Sequence, residues 1–237
     1  MKILLSGTND FAKHFGGELQ RFESTDPSKV GRISLTSTHE VQAWQCHLNP
    51  INYQSRRDRS AYDLIAVEAN ARFCLIFSHP VPRDRAEFER LFYDVWLDTM
   101  FSLSVAFQLS DKTNLLKSLE KFDQQFEGFE WVKNTDLSLN GVIADQFLYL
   151  ETFYREHPPH KFDFEESLDF SHYFNQMPKR VIDPTTKKKL YILPFEEMAE
   201  FLTQNLITPL KHKPSAQKKP THSNNIINFS DYKNRTK

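Results

Sequence analysis

The residues best suited to chemistry lie on or beside apolar runs in the first third of the chain: His39-Glu40, His47, Glu68 and His79. Imidazoles and carboxylates brought together form either a metal site or an acid/base pair. No local spacing enforces such a meeting, because H-E-x-x-H and the serine elbow G-x-S-x-G are both missing. An enzyme built on His47, Glu68 and His79 therefore requires that they approach one another or line one pocket. Asp145 is a fourth catalytic candidate, in a helical stretch with Ser138, Gly141 and Gln146. The ordinary reading is favoured there: Ser138 caps the helix, Gly141 permits close packing and Asp145 pairs with an arginine. His157 and His160 flank two prolines and could bind metal with His172, although scattered loop histidines are the commoner explanation. The two cysteines, Cys46 and Cys74, have no C-x-x-C spacing and read as buried thiols of a reducing cytosol. No metal and no cofactor is expected.

Two further clusters concern partners. Arg56-Arg57-Asp58-Arg59 lies between Tyr53 and Tyr62, and basic residues interleaved with aromatics can grip single-stranded nucleic acid. Charge argues against a general surface of that kind. Residues 211–237 hold seven Lys and Arg against Asp231, a net +6, which leaves −7 on residues 1–210 of a chain whose total is −1. An acidic body repels phosphate, so Arg56, Arg57 and Arg59 read first as a solvated turn. The basic tail is the more informative feature. Its first half, 211–223, is polar and Pro-containing and reads as a disordered linker. Its second half, 224–233, carries Ile226, Ile227, Phe229 and Tyr232, followed by Lys233 and Arg235. A merely solubilising tail needs no such cluster. These residues can dock in a groove of a protein partner, or on the body itself, while the cations speed encounter.

The elements that must position these residues read as mixed α and β. The chain of 237 residues fits one large domain, 1–210, with 158–210 as a hairpin-helix appendage. There are 21 Phe and only 6 Gly, so the core should be Phe-rich, and no G-x-G-x-x-G or P-loop pattern occurs. No run approaches the roughly 20 apolar residues of a membrane span. A helix is expected over 9–22, with Gly16-Gly17 weakening it, and a short β-branched strand over 32–36. Residues 40–48 alternate as a strand. Residues 63–68 and 72–78 read as a hairpin, with Asn70 in the left-handed turn position. After Pro82 the period becomes helical, over 83–109, 113–126 and 138–154, with a strand at 129–132. Residues 180–183 and 189–193 flank a turn, and Pro194 opens a last helix. Trp44, Leu75, Phe77, Phe92 and Trp96 are expected core residues.

Met1-Lys2-Ile3-Leu4, Trp44-Gln45-Cys46-His47-Leu48, Leu75-Ile76-Phe77-Ser78-His79, Asn134-Thr135, and Ser138, Gly141, Asp145 and Gln146 occur in an order that resembles a family of uncharacterised bacterial domains, over roughly residues 1–155. The resemblance implies the fold and brings no activity. Residues 52–62, 158–210 and the tail look like additions to that pattern.

The expected fold is α+β, an antiparallel sheet from the first third covered on one face by long amphipathic helices, with a disordered basic tail. The expected function is a non-catalytic interaction or regulatory protein of bacterial type, cytoplasmic, whose tail engages a protein partner. The alternative is a nucleic-acid-processing enzyme using the histidines and carboxylates near the sheet.

Overall fold

A computed structural model describes residues 1–24, 26–50, 62–78, 81–156, 164–182 and 186–206. The fold is α+β. Strand β1 (Lys2–Gly7) leads into the short helix α1 (Asn9–His14), and an extended connection reaches β2 (Val41–Pro50). β3 (Tyr62–Glu68) and β4 (Cys74–Phe77) form a hairpin. Helices α2 (Arg85–Ala106) and α3 (Lys112–Gln125) precede β5 (Gly128–Lys133). Then come α4 (Leu137–Glu156), α5 (Phe164–Gln176), the hairpin β6 (Lys179–Ile182) and β7 (Lys189–Ile192), and α6 (Pro194–Asn205).

The main sheet has the order β4-β3-β2-β1-β5. It is mixed rather than antiparallel: β1 runs parallel to both β2 and β5, and only β2-β3 and β3-β4 are antiparallel. Helices cover both faces, not one. Trp44, Cys46, Leu48, Leu64, Leu75 and Phe77 pack under α1, α2, α3 and α6. Leu4, Ala43, Ile65, Val67, Cys74 and Ile76 pack under α4 and α5. Alternate residues of one strand thus feed two cores, so β3 and β4 read as continuous apolar runs.

The first core is rich in aromatic rings. Trp44 meets Phe92 and Trp96 edge-on at 5.3 and 5.5 Å, and Phe77 stacks on Phe92 at 5.5 Å. Trp44, Leu75, Phe77, Phe92 and Trp96 are all buried, as expected. So are Cys46 and Cys74, both free thiols.

Local departures have local causes. The helix expected over 9–22 stops at His14, and Gly16 turns the chain at φ +72°. Residues 32–36 form no strand. Their backbone is held instead by side chains: Asn134 bonds both the N–H and the C=O of Ile33 at 2.8 Å, and Asp136 accepts from Leu35 N–H at 2.8 Å. In the β3-β4 turn the left-handed residue is Arg72, at φ 58°, and not Asn70. The Asn70 side chain bonds the backbone of Ser37 instead. Asp136, not Ser138, caps α4, accepting from the N–H groups of Ser138 and Leu139. A side chain at Gly141 would meet open space, so that glycine mediates no close packing.

Helix α5 was not legible in the sequence, yet α5 and α6 are not peripheral. Phe170 and Phe174 belong to one core, and Met198 and Leu202 to the other. α5 also closes the open edge of β4. Asn175 accepts from Cys74 N–H at 2.7 Å and donates to Cys74 C=O at 2.8 Å, and Ser171 accepts from Ile76 N–H at 2.9 Å. No described helix is long and apolar enough to cross a membrane.

Candidate functional site

The candidate site follows from the parallel half of the sheet. β1 leaves the sheet into α1 on one face, while its neighbour β5 leaves into α4 on the other. Two adjacent parallel strands whose exits diverge leave a crevice beyond their carboxyl ends, where open α/β sheets commonly bind ligands. A cavity of about 390 Å³ occupies that place here.

Three chain segments build its walls. Thr8, Asn9 and Asp10 follow β1; Lys133 ends β5 and Thr135 follows it; Arg21 and residues 30–32 come from the α1-β2 connection. Backbone bonds lace them together. Phe22 N–H donates to Lys133 C=O, Lys133 N–H to Gln20 C=O, and Gly31 N–H to Phe22 C=O. Thr135 N–H then donates to Gly31 C=O. Gly31 sits at φ +71° with Arg21 beside it, a turn that favours glycine. Below the crevice lies a buried polar layer: Gln45 bonds Ser6, the carbonyl of Asn134 and the N–H of Asp136. Gly7 must remain small, since a Cβ there would overlap the Phe11 ring.

The lining is polar and cationic. Arg21, Arg32 and Lys133 face one carboxylate, Asp10. Among the described residues none of the three cations forms an ion pair, while Asp10 lies 3.7 Å from Lys13. His47 completes the wall. Burial holds its imidazole below the usual range, only partly offset by Asp10, so at neutrality it is uncharged. Its ring lies 5.6 Å from that of Phe147. The Thr8 hydroxyl is buried and has no partner among the described residues. The crevice therefore carries a local net charge of +2 in an acidic body, and a concave wall focuses that potential.

The catalytic candidates that lie among the described residues, His47, Glu68 and Asp145, do not converge. His47 reaches the cavity. Glu68 stands three rungs away on the β2-β3 ladder, opposite Trp44. It is fully buried, and its carboxylate accepts the N–H groups of Asn70 and Ala71 at 2.9 and 2.6 Å, closing the turn. Burial pushes its pKa up. Asp145 is exposed on α4, and no ion pair with an arginine forms among the described residues. His79 lies outside the described residues. So do Arg56, Arg57 and Arg59, His157 and His160, and the tail with Ile226, Ile227, Phe229, Tyr232, Lys233 and Arg235. His172 packs its ring on Phe195 at 4.7 Å. No metal-holding group of three or more His, Cys, Asp or Glu occurs among the described residues.

Sequence reasoning missed Arg21, Arg32 and Lys133, which are lone cations far apart in the chain. It also missed Asp63. Asn49 faces Asp63 and His47 faces Ile65, which places Asp63 on the His47 side of the sheet, one strand over. Asp63 is buried, and Tyr154 donates its hydroxyl to the carboxylate at 2.9–3.0 Å. Burial outweighs that bond and pushes the pKa up to about 7. No family model, no curated protein and no solved structure matches this chain.

Proposed function

We propose that this is a non-catalytic regulatory protein that takes a small phosphate-bearing molecule in the crevice between β1 and β5. The basic C-terminal segment 224–237 would serve a protein partner. The observation that carries the reading is the set of three cations, Arg21, Arg32 and Lys133, around one cavity, none ion-paired among the described residues. Guanidinium groups suit phosphate oxygens because their fork of donors matches two acceptors at once. The volume suits a small organic phosphate. The polar lining favours phosphorylated, sugar-like chemistry over an apolar ligand. The enzyme reading is weaker here, because of His47, Glu68 and Asp145 only His47 borders the cavity.

Titration calorimetry tests this with inorganic phosphate, pyrophosphate, a sugar phosphate and a nucleoside monophosphate. At least one should bind. Arg32→Gln and Lys133→Gln should each weaken it about tenfold or more, the worth of one hydrogen bond to a charged group. Equal affinity in both variants, or no binding by the wild type, contradicts the proposal.

A further inference from the structure

A second basic surface lies on the small β6-β7 hairpin, built from different elements and independent of the crevice. Residues 179–192 hold Lys179, Arg180, Lys187, Lys188 and Lys189 against Asp183 alone. The register sorts these by face. Arg180 stands opposite Tyr191, and Ile182 opposite Lys189. These four residues share one face, and all four are exposed: Tyr191 is 73% and Ile182 65% accessible. The other face is only partly covered, with Lys179, Val181 and Ile192 half-buried and Leu190 exposed. Lys179 places its ammonium 5.8 Å from the Phe174 ring of α5, and burial lowers its pKa. One side of the ribbon is thus anchored, and the other presents an aromatic ring and an aliphatic side chain, each paired across strands with a cation.

We propose that this outer face binds single-stranded nucleic acid. The ring of Tyr191 offers a stacking platform for a base, Ile182 packs beside it, and Arg180 with Lys187, Lys188 and Lys189 contacts phosphates on either side. A β-ribbon is an established nucleic-acid reader. An anionic membrane fits less well. An inserting hairpin carries its apolar residues at the tip, whereas the sequence between β6 and β7, Asp183-Pro184-Thr185-Thr186-Lys187-Lys188, has no large apolar residue, and Ile182 and Tyr191 lie in the strands. The strip is short and the rest of the body acidic, so a flexible single strand suits it better than a long rigid duplex.

The test is fluorescence anisotropy of a labelled oligothymidylate with the full chain, across a salt series. The tail stays unchanged in every variant, so differences report the hairpin. Tyr191→Ala should weaken binding about fivefold or more with the salt slope unaltered. Replacing Lys187, Lys188 and Lys189 by Gln should flatten the log–log salt slope by roughly 2. All four side chains are exposed, so melting temperatures should not move. Unchanged affinity in the Tyr191→Ala protein overturns the proposal. So does a loss confined to anionic vesicles or polyglutamate, with oligothymidylate binding intact.

Discussion

Asp63 is a carboxyl group shut into the α4 side of the sheet, held by the Tyr154 phenol and the Ser78 hydroxyl, with no cation paired to it among the described residues. Its pKa rises from 3.8 to about 7 on folding. The folded chain then holds a proton that the unfolded chain releases between those values. The resulting stability is fully present below pH 4 and is lost as pH climbs through 7. Histidines 14, 47 and 172 act in the opposite sense, since burial lowers each. Comparing wild type with Asp63→Asn separates the two effects. Relative to the variant, the wild type should lose about 2 kcal/mol of unfolding free energy between pH 5 and pH 7.5. Urea melts at the two pH values read this directly, and parallel profiles would refute the protonated carboxyl. Nothing in the sequence around Tyr62-Asp63-Leu64 marks this residue, because its environment is made by Tyr154, 91 residues away. The crevice was hidden for the same reason. His47 stood out by type, but Arg21, Arg32 and Lys133 meet only through backbone bonds between three segments.

At the scale of elements, α5 guards the β4 edge. A strand edge left open presents a row of backbone donors and acceptors to any other chain. Asn175 satisfies two of those groups on Cys74 alone. Asn175→Ala should cost about 2 kcal/mol or more, because two buried backbone groups lose their partners. Light scattering on partial heating should also show earlier aggregation than in the wild type. A loss below about 0.5 kcal/mol in urea melts would mean that water replaces the amide. The same residues explain why α5 escaped the sequence reading. Ser167, Ser171 and Asn175 recur every four residues on the side facing β4, where an apolar stripe would announce a buried helix. By contrast α2 was legible from Phe88, Phe92, Val95 and Trp96, and the hairpins from their turn residues. Parallel pairing was not, because a continuous apolar run such as Leu64-Ile65-Ala66-Val67 says that a strand is buried on both faces and nothing of its direction.

For the whole molecule the charge division matters most: a net −7 in residues 1–210 and +6 beyond. If Ile227 and Phe229 anchor a protein partner, replacing both by Ala should abolish its capture in a pull-down and leave the melting temperature of the isolated protein unchanged. A lower melting temperature would instead locate the anchor on the protein's own body, and no change in either would make the segment inert. The order of strands has a consequence of another kind. β1 sits between β2 and β5, and its partner on the β5 side is 126 residues away, Lys2 opposite Gly128. During synthesis one flank of the opening strand therefore waits unpaired until most of the chain has been made. Such high contact order slows folding, since a long loop must close before the pairing rewards it. The crevice needs both β1 and β5 and so cannot form before residue 135 has been made, and a nascent or truncated chain lacking residues 128–135 would carry the hairpin β3-β4 and none of the β5 wall of the binding cavity.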